Sequence, residues 1–550
     1  MFNSNQVVGK HCRRLLSVLA FIPAVSVAQT QLGWQALQGY EPVSQTLLCS
    51  QSTNKTCFPT KLESIYAAND YVPLWADEAT RQEFFLQFKS LVYAELVPGL
   101  EQRLFELEQL SHAPDQRGFD LIATDSFLIY KAVVNLLEAQ PSRLYKHHNL
   151  QLPQQSPLEL INIQLSPLTL MEELQKLRPR GKRLENSVAV AEKFRQRPPH
   201  RLMLVNRKVL IREDQPIPNG NALLDVLYGY GDLSRTDYMQ LKQQIVVINS
   251  GKVNRSIRAF QHRNGLDVDG IIGPATAKQL SLPYSEISRV IALNLQRSRF
   301  GSDISDRPLI RVNIPDYMLR ITRRDQLLFE SKVIVGRTSR PTNLFSSSLN
   351  TMVVNPSWNV PTTIKQEDVI PNVKNSLDYL AEKNLKIVKS WRDRSIILPE
   401  QIEWSNVNPK TFPYEFQQGP GPSNALGKVK FLMPNDYSIY LHDTPSRSLF
   451  RKSKRNLSSG CVRVEKADEL AEFILGYQRR SGIAPYQKMV SDMESDTVSL
   501  GRRVNVDVMY MTAWVDENNR LQLREDIYGY DRPGNHRIES KFISLKDFSY

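Results

Sequence analysis

Ser458-Ser459-Gly460-Cys461-Val462-Arg463, with His442 lying 19 positions before the cysteine, is the stretch on which the reading of this 550-residue chain turns. A thiol is mostly protonated at neutral pH, so a nucleophilic cysteine needs a neighbouring base or cation, and His442 can serve as one. The interval leaves room for a strand, a loop and a return, so the two meet in space and not along the chain. Gly460 removes a Cβ where the backbone must turn sharply or a substrate carbonyl must approach. Successive backbone amides around Cys461 can then hold an oxyanion. Phe431 to Met433, the turn Pro434-Asn435-Asp436 and Tyr437 to His442 read as strand, turn and strand, which puts Tyr440 and His442 on one face. After Cys461, Ala467, Leu470, Ala471, Ile474 and Leu475 recur at helical spacing and predict a helix over 465–478. A loop between a strand and a helix suits a nucleophile; on residue types alone, a buried thiol beside a satisfied core histidine is the structural alternative.

The runs His442-Asp443-Thr444-Pro445, Leu449-Phe450 and Ser458 to Val464 together resemble the active-site signature of the L,D-transpeptidases, in particular their large YcbB type. The resemblance extends roughly over residues 60–530, closely from 420 to 475 and loosely in the N-terminal part. It implies a multidomain α+β chain: a helical scaffold, a small three-helix peptidoglycan-binding module, and a mainly β catalytic domain with an inserted capping lid. It implies Cys461 as nucleophile, His442 as proton donor and acceptor, the Gly460 backbone at the oxyanion, and Tyr440 as a further oxyanion or cleft group. Ser458, Ser459, Arg463, Trp358 and Asn424 are expected to line the substrate site. Arg463 can grip a substrate carboxylate as a fork or brace its own loop, and the residues leave both open. Smaller family members carry a histidine two residues before the cysteine where this chain has Ser459, a serine the YcbB type shares, so His442 must be the base. Asp443 would point away from His442 in a strand, which leaves the partner of the second ring nitrogen unidentified.

Residues 1–28 hold Lys10, Arg13 and Arg14, an apolar run from Leu15 to Val27, and Ser26-Val27-Ala28, the three parts of a secretory signal. Export to the periplasm is the expectation, with an uncleaved membrane anchor as the alternative. The formal charge is +13, and removal of this segment leaves +10, which suits an anionic polymer such as cell wall. Nucleic acid would also fit the charge, but export and the lack of Lys/Arg runs interleaved with aromatics argue against it. Of four cysteines, Cys12 leaves with the signal, and Cys49 and Cys57 are expected to pair as a disulfide. Cys461 is then an unpaired thiol in an oxidising compartment, a second argument for catalysis. No metal site is expected: the short cysteine pair has no histidine pair at ligand spacing, and His147 and His148 are adjacent.

Length predicts several domains. Residues 29–218 read as a helical scaffold, with amphipathic runs Arg81 to Leu96, Leu100 to Leu110, Phe127 to Ala139 and Leu168 to Leu177. Residues 219–283 carry Val253, Ile257 and Phe260 at helical spacing, then a Gly-Asp turn and Pro274 opening a helix, and are similar to the peptidoglycan-binding module. Asp267-Val268-Asp269-Gly270 is not a calcium loop, because Gly265 and Thr276 stand where Asp and Glu are needed. A linker helix is expected over 284–306, and short alternating runs from Arg307 onward predict β structure to 550, closing with a hairpin of Val504 to Val515 and Leu521 to Tyr528. The β texture breaks over 365–418, read as the lid, with a rigid surface decoration as the alternative.

The resemblance further implies the reaction. Cys461 attacks the carbonyl of the third stem residue, diaminopimelate, at its bond to terminal D-alanine, and a second stem's amine resolves the thioester into a 3-3 cross-link. No cofactor is expected. Peptidoglycan stem peptides, peptidoglycan synthases and carbapenems acylating Cys461 are the expected partners. An L,D-carboxypeptidase using water, or a silent wall-binding adaptor, are the alternatives.

Overall fold

Apolar residues at helical spacing build the first body of the computed structural model, which describes residues 56–114, 116–145, 164–181, 183–200, 202, 210–302, 306–478, 485–534 and 538. The expected leader, Cys49, His147 and His148 lie outside the described residues. Six helices make the scaffold: α1 Pro59–Ala67, α2 Glu78–Val92, α3 Leu100–Ser111, α4 Gln116–Ala139, α5 Leu170–Leu177 and α6 Leu184–Arg195. α4 begins well before the predicted Phe127 because polar residues interrupt its apolar stripe yet are buried. Asp120 accepts hydrogen bonds from the Leu74 and Trp75 amides at 3.1 and 2.8 Å, and Asp125 from those of Cys57 and Phe58 at 2.9 and 3.0 Å. These carboxylates staple the preceding chain to the helix, and each burial is matched by donors. Cys57 is disulfide-bonded.

The module holds four helices where three were expected: α7 Gly220–Tyr230, α8 Arg235–Leu241, α9 Gly251–Arg263 and α10 Pro274–Leu280. α7 buries Leu223, Leu224, Val226 and Leu227 against Ile257 and Phe260, and the core reaches back to Leu202 and Ile211. Arg263 pairs with Asp232 at 2.6 Å, and Arg524 donates to the Arg263 carbonyl at 2.8 Å while pairing with Asp316 at 2.6 Å, which seats the module on the catalytic domain.

α11, Tyr284–Arg297, expected as a linker, is a strut buried between scaffold and catalytic domain. Its polar residues do the joining: Gln296 donates to the Ser90 carbonyl at 3.0 Å, Asn294 exchanges two 2.9 Å bonds with Thr512, and Arg297 pairs with Asp531 at 2.6 Å while donating to the Leu144 and Tyr530 carbonyls. Among the described residues no helix is long and apolar enough to cross a membrane.

The catalytic domain is built on strands β1 Leu309–Asn313, β2 Met318–Arg323, β3 Gln326–Gly336, β4 Phe345–Val354, β5 Trp358–Asn359, β6 Leu385–Val388, β7 Ile396–Ile397, β8 Glu415–Gln418, β9 Val429–Leu432, β10 Leu441–His442, β11 Asn456–Ser458, β12 Val462–Val464, β13 Asp496–Met509, β14 Ala513–Val515 and β15 Leu521–Leu523. Its main sheet runs β11-β3-β12-β10-β9-β4-β13-β1-β2, and pairing of β2 with β3 closes it into a barrel. The β2-β3 turn uses Arg324 and Asp325 at φ +50 and +66, the left-handed pair a two-residue hairpin needs. Helix α12, Ala467–Gln478, buries Ala467, Leu470, Ala471 and Ile474 in the barrel's core cluster, as their spacing predicted.

Two strands fall short of their predicted lengths. The Tyr437–His442 run pairs only at Leu441–His442, because Asn435 folds the preceding chain into a loop: its amide donates to the Met433 and Ile439 carbonyls, and its oxygen accepts from the Tyr437 and Ile439 amides. The predicted Val504–Val515 strand divides into β13 in the barrel and β14 in a separate hairpin with β15.

The insertion starts earlier than residue 365. β5 is the edge of its own sheet, β5-β8-β6-β7, so the subdomain runs from Trp358 to Gln418. Val360, Ile370, Val373, Phe412 and Phe416 give it a core separate from the barrel's.

Candidate active site

Strand register assembles the site. β10 lies parallel to β12 with Leu441 opposite Val462 and His442 opposite Arg463, and antiparallel to β9 with His442 opposite Lys430. Side chains alternate across a sheet, so Leu441, Val462 and Phe431 enter the barrel core and Lys430, His442 and Arg463 form a row on the other face. Cys461, two residues before Arg463, joins that face beside Tyr440, whose carbonyl accepts from the Val462 amide at 3.2 Å.

His442 is 5% exposed, and its Nδ1 lies 2.6 Å from the Asp443 carbonyl oxygen. A carbonyl only accepts, so Nδ1 carries the proton and Nε2 keeps its lone pair. Burial first, then the Arg463 and Lys430 charges, hold the imidazolium down to a pKa of about 3 against the weaker support of the Asp443 carbonyl. The ring is therefore neutral at physiological pH, the state a general base requires. Asp443 contributes this backbone carbonyl; its own carboxylate accepts from the Lys428 amide at 2.9 Å.

The Cys461 thiol is half-buried and donates to the Ser438 carbonyl at 3.8 Å. Burial pushes the thiol above its usual range, offset in part by the Tyr440 amide, the Arg463 charge and the Tyr440 hydroxyl. The Tyr440 hydroxyl acts on the thiol electrostatically, and its ring lies 5.6 Å from that of His442. Sγ and the imidazole are not hydrogen-bonded to each other in this arrangement, and such contacts commonly close only when substrate arrives. The resting pair is thus neutral thiol and neutral imidazole. Alkylation of Cys461 by iodoacetamide is accordingly expected to rise with pH without levelling off by about pH 9, where an ordinary thiol near 8.5 would be levelling. A plateau near neutrality, read by mass spectrometry of the Cys461 peptide, would contradict it.

The loop before the cysteine is fixed by its neighbours. Gly460 has φ +117, a conformation reserved for glycine. Its amide donates to Ser458 Oγ at 3.2 Å, and that hydroxyl donates to the Cys461 carbonyl at 2.6 Å. Ser458 is therefore buried and spent on the turn. The expectation of the Gly460 amide as oxyanion donor meets a competing acceptor, whereas the Cys461 amide has no acceptor among the described residues. The Gly460 carbonyl accepts from Thr342 Oγ1 at 2.7 Å, and Thr342 Oγ1 accepts from the Gly336 amide at 2.8 Å.

Ser459 is exposed and accepts from Arg340 at 3.0 Å. Arg340 also pairs with Asp368 at 2.6 Å and with Glu367 in the inserted subdomain, so one guanidinium ties the Cys461 loop to that subdomain. Asn424 is buried, donating to the Pro356 and Gly419 carbonyls at 2.9 and 2.7 Å, which braces the root of the inserted subdomain. Trp358 is half-buried in β5 against the core of the inserted subdomain. The structure thus gathers Cys461, His442, Tyr440 and Arg463 on one face and gives Ser458, Asn424 and Trp358 framework contacts.

Sequence reasoning missed Lys430, Ser438, Arg340 and Thr342. Lys430 sits in an apolar run where an outward lysine reads as solvent-facing. Arg340 and Thr342 lie over a hundred residues from their partners, and only the Gly-Arg-Thr-Ser-Arg-Pro composition of residues 336–341 signalled a loop there.

Comparison with known proteins agrees in the same regions. Residues 307–506 match the L,D-transpeptidase catalytic domain (YkuD), residues 60–184 a scaffold domain, and residues 233–280 the family described as "Putative peptidoglycan binding domain". A Haemophilus influenzae protein described as "Putative L,D-transpeptidase" is 42% identical over 253 residues, 46% of this chain and 50% of that protein. The chain thus spans about half the length of this curated relative. A crystal structure of an L,D-transpeptidase (Yku) from Stackebrandtia nassauensis aligns over 54% of this chain and 94% of its own at 12% identity, with a TM-score of 0.22 that is too low to describe this fold.

Proposed function

This chain carries an L,D-transpeptidase catalytic domain, and on that premise we propose that it joins peptidoglycan stems through a Cys461 thioester, forming 3-3 cross-links with release of D-alanine from tetrapeptides. The observation that carries this reading is the register that sets a neutral, Nδ1-anchored His442 beside the loop of an unpaired cysteine. In the first half-reaction the thiol proton passes to His442 Nε2, sulfur bonds to the diaminopimelate carbonyl carbon, and the oxyanion rests on the Cys461 amide with Tyr440 beside it. Collapse breaks the bond to D-alanine, whose amine takes the proton from His442. In the second, the acceptor's side-chain amine attacks the thioester, its proton returns through His442 to the departing sulfur, and the enzyme is regenerated.

The peptidoglycan-binding domain supports the wall as the site of action. Export to the periplasm by residues 1–28, and peptidoglycan synthases as suppliers of stems, complete the proposal. Incubation with purified disaccharide-tetrapeptide and mass spectrometry tests it. A dimer lacking one D-alanine is the expected product. Tripeptide monomer alone would make the protein an L,D-carboxypeptidase, and no product with retained binding to isolated sacculi would make it an adaptor. A carbapenem is expected to add its mass at Cys461, and an unchanged protein mass would count against the thioester.

A further inference from the structure

Across five strands the outer face of the barrel carries the row Val353, Lys430, His442, Arg463 and Ile334, each opposite the next by strand register. Two cations flank one neutral imidazole, and apolar residues close both ends. Among the described residues neither the Lys430 ammonium nor the Arg463 guanidinium has a hydrogen bond or ion pair, and Arg463 Nε is shut off from solvent with no acceptor. Both side chains are half-buried. The alternative role for Arg463, bracing its loop, has no bond to support it; Ser458 and Thr342 do that instead. Partly desolvated cations without a partner cost stability, and with β10 between their strands the two backbones stand roughly 10 Å apart, a span that two long side chains reaching from either side of His442 can close on one small anion.

His442 fixes which anion. To protonate the leaving amine, Nε2 must come within about 3 Å of that nitrogen. The carboxyl carbon of a terminal amino acid is two bonds from its own nitrogen, about 2.5 Å away. The leaving residue's carboxylate therefore falls beside His442, where the two cations stand.

We propose, on the transpeptidase reading above, that Lys430 and Arg463 form one seat for the free carboxylate of the leaving residue whose amine His442 protonates, and that Lys430 is a specificity-determining residue for it. The entering amine of a diaminopimelate side chain also has a carboxylate on its own carbon, so the same seat receives the acceptor. A stem whose fourth residue is amide-linked onward presents no charge there and is discriminated against.

The test compares iodoacetate with iodoacetamide on the full protein. Both alkylate Cys461 by the same displacement and differ in a carboxylate, so the ratio of their rates, read on the Cys461 peptide, cancels the thiol's ionisation. Lys430→Met is expected to lower the iodoacetate to iodoacetamide ratio by about fivefold or more. Lys430→Arg, and Lys193→Met at an exposed scaffold lysine, are expected to leave it within about twofold. In the unmutated protein the ratio is expected to fall as salt rises to about 1 M. A ratio unchanged in Lys430→Met overturns the seat; should that variant not fold, a wild-type ratio indifferent to salt overturns it. A second arm compares tetrapeptide ending in D-alanine with its carboxamide: the preference for the free acid is expected to shrink in Lys430→Met through the acid's rate alone. If the alkylation ratio responds while neither peptide is turned over, the seat stands and the transpeptidase reading falls.

Discussion

Cys461→Ala is expected to form no acyl-enzyme, and His442→Gln to form it about 10²–10⁴-fold more slowly than the unaltered protein. The argument for so large an effect at His442 starts from the sulfur. Burial keeps the thiol protonated, and the Arg463 charge and the Tyr440 donors offset that only in part, so few molecules hold a thiolate without help. His442 is the neutral group on the same face, with its lone pair free. Glutamine can keep a hydrogen bond to the Asp443 carbonyl but cannot take a proton. The slowed variant should regain rate tenfold per pH unit as the thiol ionises unaided, while the unaltered protein shows no inflection between pH 5 and 8, because its imidazole ionises far below that window. Because the pair acts as a unit, the double variant should be no worse than Cys461→Ala. Carbapenem acylation followed by mass spectrometry reads all three. Retention of more than a tenth of the rate in His442→Gln would move the base elsewhere, first to Tyr440, whose hydroxyl interacts electrostatically with the thiol.

The parts of this site that were legible in the sequence are those set by local pattern. The turn at Gly460, the helix that follows and the pairing of two short strands follow from alternation and glycine placement within some forty residues. The partner of His442 was not legible, because it is a backbone carbonyl and any residue at 443 supplies one. The loop around Ser438 was hidden by the apolar alternation of Tyr437 to His442, which reads as a strand until Asn435 is seen to satisfy four backbone groups by itself.

The same limit appears in the fold. Helices with one apolar stripe were found close to their observed ends, whereas α4 was cut short at its buried aspartates and α11 was demoted to a linker by polar residues that bridge two domains. In each case the residues carry donors and acceptors whose partners are far along the chain, and periodicity counts them as solvent-facing. Lys430 is the counterpart within the site. Its strand was recognised in outline, but only the register against His442 and Arg463 reveals that its charge stands beside the imidazole.

Gly336→Ala is expected to cost about 10²-fold in acylation while leaving the barrel folded. Gly336 ends β3, and a Cβ there would lie 2.3 Å from the Arg340 carbonyl oxygen and 2.6 Å from the Thr342 nitrogen. Both are backbone atoms, so the 337–342 loop must move as a unit. That loop is the support of the Cys461 turn: the Arg337 amide donates to the Ser458 carbonyl at 2.9 Å, Thr342 holds the Gly460 carbonyl, and Arg340 holds Ser459 together with the inserted subdomain. A displacement of about 1 Å at such a support is enough to cost about 10²-fold in rate. Thr342→Val separates the two ways this can happen. It leaves the backbone in place but removes the hydroxyl from a fully buried site, leaving the Gly336 amide and Gly460 carbonyl without that partner, at a cost of about 1–3 kcal/mol. If Thr342→Val loses stability without losing the acylation rate per folded molecule, while Gly336→Ala loses the rate, the position of the turn is what matters. If both lose the rate equally, the Thr342 hydroxyl itself holds Gly460 and Cys461 in their reactive geometry. A Gly336→Ala protein acylated at the ordinary rate would show that the nucleophile turn holds its shape without the 337–342 loop.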